Sequence, residues 1–160
     1  MVIVIMGVSG SGKTTVGRLL AEGLGWRYFE GDAYHSAASV EKMRRGVPLD
    51  DADRWPWLEA LRDLIGGCLA RGESAVLACS ALKESYRKVL SVDGRVVFVH
   101  LKGDYEVIAS RLRARGGHFM NPGLLGSQFD ALEEPTDAMH VAVSASPDDI
   151  VKEIMGRLKL

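Results

Sequence analysis

The chain holds 160 residues, one domain's worth of polypeptide, and size scaling gives it a folded surface of about 7,900 Å². With 47% hydrophobic and 26% charged residues and a mean hydropathy of +0.03, it can build a core, which excludes intrinsic disorder and an integral membrane protein. Basic and acidic residues number 20 and 21, a net charge of −1, so no surface dedicated to nucleic acid or membranes is expected; those draw their affinity from excess Lys and Arg.

Val2 to Met6 is a short β-branched run, read as a buried strand; it lacks the basic flank and the length of a signal peptide. Lys13 to Leu24 follows as a helix with Val16, Leu19 and Leu20 on one face. Arg27 to Phe29 is a brief second strand ending at Glu30-Gly31-Asp32. Ser39 to Arg45 reads as a short helix stopped by Gly46. Trp57, Leu58, Leu61, Leu64, Ile65, Cys68 and Leu69 keep helical spacing up to Gly72. The acids Asp50, Asp51 and Asp53 suit the N-terminus of that helix, with Pro56 in its first turn.

Ala75 to Cys79 reads as a strand, Lys83 to Leu90 as a helix and Arg95 to Leu101 as the longest strand. Asp104 can cap a helix reaching about Arg115. Gly116 to Gly126 carries four glycines and Pro122, the composition of a mobile segment. Met139 to Val143 is the last strand, and Ser146 caps a helix that turns Ile150, Val151, Ile154, Met155 and Leu158 inward. Strand and helix alternate throughout, so the fold class is α/β: a central parallel sheet with helices on both faces, in one domain over residues 1–160. The cysteines, Cys68 and Cys79, have apolar neighbours and cannot make a disulfide framework or a four-thiolate zinc site. They read as buried, reduced thiols, and the expected location is cytoplasmic.

Gly7-Val8-Ser9-Gly10-Ser11-Gly12-Lys13-Thr14 fits the phosphate-loop pattern G-x-x-x-x-G-K-S/T in full. It lies between a β-branched strand and an amphipathic helix, the context that gives the pattern meaning. Its amides surround phosphate oxygens, aided by the positive end of the helix. Lys13 reaches the β- and γ-phosphates of ATP, Thr14 ligates Mg²⁺, and Thr15 extends the nucleotide-binding stretch. A GTPase would need an Asn-Lys-x-Asp segment, which is lacking, and Asp63 to Gly66 matches D-x-x-G only in mid-helix. A compact phosphotransferase fits best.

On the acceptor side, Asp32 is assigned to take the proton of an attacking hydroxyl and Glu30 to hold metal-bound water; a local turn contact is the alternative for each. His35 either donates to a substrate oxygen or is a surface-loop histidine. Arg54, at a helix start, can make a bidentate pair with a substrate carboxylate. Ser80 and the amides near it can hold substrate oxygens, and Lys83 and Arg87 can present positive charge to an anion. Cys79 reads as packing rather than as a nucleophile. Arg111 and Arg115 share a helix face and can clamp phosphates, with Arg113 turned away.

These residues in this order resemble the gluconokinase family. The phosphate loop is followed by Gly31-Asp32 with His35, Glu41-Lys42-Met43, Pro48-Leu49, Asp53-Arg54 and Pro56-Trp57-Leu58. Cys79 to Lys83, Tyr86-Arg87, Leu101-Lys102-Gly103, Arg111-Leu112, Gly117-His118-Phe119, Gln128-Phe129 and Leu132 to Pro135 continue the likeness across the chain. The resemblance implies ATP- and Mg²⁺-dependent phosphorylation of D-gluconate on its 6-hydroxyl. It also implies a three-layer P-loop kinase fold like that of nucleoside monophosphate kinases, a mobile lid at about 111–128, a substrate-binding helical region at about 33–58, and a homodimer. His118 joins the substrate-binding set on this basis. Glu30 stands where relatives often carry Asp, and the lid lacks the Lys that relatives often place before the Gly-His pair. The rival readings are a shikimate kinase-like enzyme for another small acceptor and a nucleotide-dependent switch.

Overall fold

The computed structural model describes residues 1–115 and 122–160. Five strands form one parallel sheet: β1 (Val2–Met6), β2 (Arg27–Glu30), β3 (Ala75–Ala78), β4 (Val96–Lys102) and β5 (Met139–Ala142), in the order β2-β3-β1-β4-β5. The helices are α1 (Lys13–Leu24), α2 (Ala37–Arg44), α3 (Asp51–Ala70), α4 (Glu84–Leu90), α5 (Tyr105–Ala114), α6 (Pro122–Ala131) and α7 (Pro147–Leu158). No helix among the described residues is long and apolar enough to cross a membrane. The accessible surface is 8177 Å², close to the size expectation.

β1 is buried along its whole length, as a central parallel strand covered on both faces must be. Alternate residues feed two cores. Val2, Val4 and Met6 join Leu58, Leu61, Ile65 and Leu90 under α3 and α4, while Ile3 and Ile5 join Val16, Leu20, Ile150 and Ile154 under α1 and α7. Burying an Ile such as Ile154, which is fully enclosed, contributes about 1.5–3 kcal/mol. A third, smaller cluster brings Val8 of the phosphate loop together with Leu82, Ile108 and Leu125.

One expectation from sequence, the place of Pro56, is corrected. The helix of Trp57 begins at Asp51, among the acids expected at its N-terminus and early enough that Pro56 lies inside it rather than in its first turn. A reciprocal capping box explains the early start: Asp50 accepts from the Asp53 N–H at 2.7 Å and Asp53 from the Asp50 N–H at 3.1 Å. The glycine-rich stretch expected to be mobile becomes helical from Pro122 onward, because Leu124 and Leu125 are buried. Residues 116–121 lie outside the described residues.

Candidate active site

The parallel register aligns the chemistry. Glu30 pairs with Ala78, Ala78 with Ile5 and Ile5 with Val99, so one row crosses the sheet from β2 to β4. One step beyond that row, the chain leaves the sheet at Gly31-Asp32, Cys79-Ser80 and Met6-Gly7, all on the carboxyl edge where such sheets hold ligands. The Gly7 N–H donates to the Ser80 carbonyl at 3.3 Å, tying the phosphate loop to the loop after β3.

Within the phosphate loop, Gly10 has φ +81°, and a Cβ there would come within 2.8 Å of Leu112 Cγ and 3.2 Å of Ile108 Cγ2. Only glycine admits both the left-handed turn and the close approach of α5. Lys13 Nζ donates to the Val8 carbonyl at 3.0 Å. Burial pulls its pKa below the usual lysine value, opposed by the negative charges of Asp32 and Glu30. The Thr14 hydroxyl donates to Glu30 at 2.8 Å, and the Tyr28 hydroxyl donates to the same carboxylate oxygen at 2.6 Å. Gln128 Oε1 on α6 accepts the Ser9 N–H at 2.6 Å. Ser11 is buried with its hydroxyl unpartnered among the described residues, and Thr15 is exposed on α1.

Asp32 sits on a single 3-10 turn, Gly31–Tyr34. A Cβ on Gly31 would come within 2.5 Å of the Ala78 carbonyl, so glycine lets this turn press against the end of β3. Trp57 of α3 donates its indole N–H to the Gly31 carbonyl at 2.8 Å and stacks on His35, with centroids 4.2 Å apart and planes at 17°. Burial lowers the His35 pKa, with Asp32 opposing and Arg54 assisting that shift. Its Nδ1 is buried and has no partner among the described residues. Asp32 thus lies within electrostatic reach of Lys13 and His35, and Arg54 within reach of His35.

Tyr86, which the residue-by-residue reading of the sequence gave no role, gathers the next group. Arg54 donates to its hydroxyl at 3.2 Å, that hydroxyl donates to Asp51, and the charges of Arg54 and Lys83 each lie 5.6 Å from the ring centroid. Lys83 also pairs with Asp51 at 3.1 Å. The hydrogen bonds from Tyr86 and Lys83 hold the Asp51 carboxyl below the ordinary carboxylate range. Lys83 therefore has a carboxylate partner already, whereas Arg54 among the described residues pairs with a neutral phenol.

Arg87 is a correction. It does not present charge to an acceptor: it is 6% exposed, and its guanidinium donates to the carbonyls of Ala81 at 2.8 Å, Leu82 at 3.0 Å and Glu133 at 2.8 Å. Ala81 has φ +45°, a left-handed conformation that costs a non-glycine residue about 1–2 kcal/mol. Arg87 holds that turn in place. Cys79 is buried and its thiol is pushed up to about 12 by that burial, which removes it as a nucleophile. Arg111 donates to the Val143 carbonyl beyond β5, and Arg115 is exposed at the end of α5. His118 lies outside the described residues.

Comparison with known proteins decides the family. A gluconokinase of Gluconobacter oxydans (strain 621H) is 47% identical over 157 residues, covering 96% of this chain and 88% of that protein. The chain belongs to the gluconokinase family. The solved structure of a gluconokinase from Sinorhizobium meliloti 1021 is 43% identical, with a TM-score of 0.87 over 98% of this chain and 90% of that one. The wider kinship explains the shikimate kinase-like alternative: the family model for shikimate kinase matches residues 9–158. A shikimate kinase from Aquifex aeolicus shares the fold with a TM-score of 0.64 at 20% identity, over 99% of this chain and 96% of that one. The kinship makes the chain a nucleotide-binding P-loop kinase.

Proposed function

We propose that the chain transfers the γ-phosphoryl group of ATP to the primary 6-hydroxyl of D-gluconate, giving 6-phosphogluconate and ADP. The observation that carries this reading is that Asp32, which leaves β2 at the same sheet edge as the phosphate loop, lies within electrostatic reach of both Lys13 and His35, with Arg54 within reach of His35. Gluconate has a carboxylate at one end, hydroxyls along its length and a primary alcohol at the other. Arg54 takes the carboxylate, His35 Nδ1 and Ser80 meet hydroxyls, and Asp32 receives the proton as the new P–O bond forms. Lys13 and the loop amides hold the β- and γ-phosphates in line. Arg111 and Arg115 supply positive charge at the transferring group when the 111–128 region closes, with His118 on the substrate.

The residues at the start of α1 suit Mg²⁺. Thr14 gives its proton to Glu30 at 2.8 Å and so keeps oxygen lone pairs for a cation, and the donors are all oxygen, as this ion demands. Thr14 would hold the metal and Glu30 would accept from its water. When bound, Mg²⁺ neutralises charge on the β- and γ-phosphate oxygens. We extend the proposal to a homodimer in the cytoplasm, the state the family resemblance implies; the buried, unpaired thiols of Cys68 and Cys79 suit a reducing compartment.

A coupled assay of ADP release over gluconate, other aldonates, shikimate and nucleoside monophosphates tests the reading. Stimulation by gluconate well above the others is expected. A preference for shikimate would establish the shikimate kinase-like alternative, and ATP turnover that no acceptor stimulates would establish a nucleotide-dependent switch.

A further inference from the structure

Away from the phosphate loop, the structure brings two histidines and a glutamate together. His100 on β4 and His140 on β5 are register partners in the parallel ladder, and their Nδ1 atoms lie 3.0 Å apart. His100 is 2% exposed and lies on the α3–α4 side of the sheet, since Met6, its register partner, and Phe98, two residues before it, both belong to that core. Glu134 completes the group, with one ligand atom from each of the three residues within 4.8 Å of the others.

We propose that His100, His140 and Glu134 form a binding site for one divalent transition-metal ion of the Zn²⁺ type, separate from the Mg²⁺ of the phosphate loop. The hydrogen bonds around the cluster set the imidazoles for it. His140 Nε2 lies 2.8 Å from the Pro135 carbonyl, which can only accept, so the proton sits on Nε2 and Nδ1 points a lone pair at His100. Backbone anchoring of the far ring nitrogen is the usual support for a ligating histidine. Two imidazole nitrogens on one tetrahedral Zn²⁺, at about 2.05 Å each, stand about 3.3 Å apart, so the observed 3.0 Å spacing needs to open by only a few tenths of an ångström. His140 Nδ1 accepts from His100 Nδ1–H, so as the ion enters that proton moves, by exchange with solvent, to His100 Nε2, and both rings stay neutral.

Glu134 Oε1 pairs with Lys102 Nζ at 2.6 Å, which engages one of its two oxygens and orients the carboxylate as third ligand. His100 is enclosed against the core, and a neutral imidazole is the form that ligates. Nitrogen donors select Zn²⁺, Co²⁺ or Ni²⁺ over Mg²⁺, which demands an oxygen shell. The ion would clip β4, β5 and the segment after α6 together. That segment's Glu133 bonds the Leu82 carbonyl through its N–H at 2.9 Å and takes the Glu84 N–H at 3.1 Å, so the clip steadies the loop beside the acceptor.

Titration of chelator-treated protein with Co²⁺, followed by its visible d–d absorption, and with Zn²⁺ by calorimetry tests the site without nucleotide or turnover. One ion per chain is expected, with Zn²⁺ displacing Co²⁺ and Mg²⁺ displacing neither. At a hundredfold excess over Kd, Zn²⁺ should raise Tm by roughly 5 °C or more. His140→Gln should abolish binding, and Glu134→Gln, at an exposed position that leaves the fold intact, should weaken it at least about tenfold. Lys102→Met, which frees the second carboxylate oxygen, should tighten it. A wild-type protein that binds neither ion, or a Glu134→Gln and a His140→Gln protein that both bind as tightly as wild type, would overturn the proposal and leave a hydrogen-bonded histidine pair.

Discussion

In the proposed reaction Asp32 and Arg54 divide the acceptor between them, and each has a substitution that isolates its part. Asp32 stands within electrostatic reach of both Lys13 and His35. Asparagine keeps its shape and can still hold a hydroxyl but takes up no proton, so Asp32→Asn should lower kcat by about 10²–10⁴-fold, nearer the lower end because phosphoryl transfer is loose. ATP affinity should change by less than about tenfold. Single-turnover kinetics separates the chemical step from product release; a chemical rate within about threefold of wild type, with only gluconate KM raised, would reduce Asp32 to a binding residue. Arg54→Lys keeps the charge and loses the planar fork, so gluconate binding should weaken on the order of tenfold while binding of an ATP analogue holds. Calorimetry with the two ligands decides, and unchanged gluconate affinity would make Arg54 a partner of Tyr86 alone. The placement of Lys13, Thr14 and Asp32 at the ends of β1 and β2 was legible because a phosphate loop and a strand-end acid are local patterns. The partnership of Arg54 with Tyr86 and Asp51 was not, because it joins α3 to α4 across 32 and 35 residues of sequence.

At the scale of elements, Arg87 shows how a charge that reads as a ligand becomes a brace. Its spacing from Lys83 is one helical turn, which sequence alone cannot tell from a shared anion site. The structure faces it inward instead, onto three carbonyls around the strained Ala81. Arg87→Met should therefore destabilise the fold by about 2–4 kcal/mol, since buried carbonyls lose charged donors. A fall in the urea midpoint at unchanged m-value measures it; an unchanged midpoint would return Arg87 to the surface role first assigned. Helix α6 was illegible for another reason. Its glycines argue against helix by local preference, and burial of Leu124 and of Leu125, the latter packed with Val8 of the phosphate loop and Ile108 of α5, overrides them. The same helix lets Gln128 cover the Ser9 amide, where it competes with a phosphate oxygen. Gln128→Ala should tighten binding of an ATP analogue by about twofold to tenfold, the worth of one neutral hydrogen bond, as read by calorimetry; weaker binding would mean that Gln128 supports the nucleotide.

For the whole molecule, alternation of apolar strands with amphipathic helices was enough to give a parallel α/β sheet, because each element's buried face is written in its own periodicity. The order β2-β3-β1-β4-β5 was not written there, since buried parallel strands look alike and only packing chooses their neighbours. That order places β1 at the centre and lines up the ends of β1, β2 and β3, and so turns separate sequence motifs into one site. In the proposed reaction this site moves a phosphoryl group from ATP to the terminal alcohol of gluconate. Phosphorus NMR of the reaction reads it directly. With enzyme, ATP, Mg²⁺ and gluconate, the account predicts a new phosphomonoester resonance split into a triplet by the two protons of the C6 methylene, growing in step with ADP and absent when gluconate is omitted. A doublet would place the phosphate on a secondary hydroxyl, and inorganic phosphate as the only new signal, formed equally fast without gluconate, would contradict the account outright.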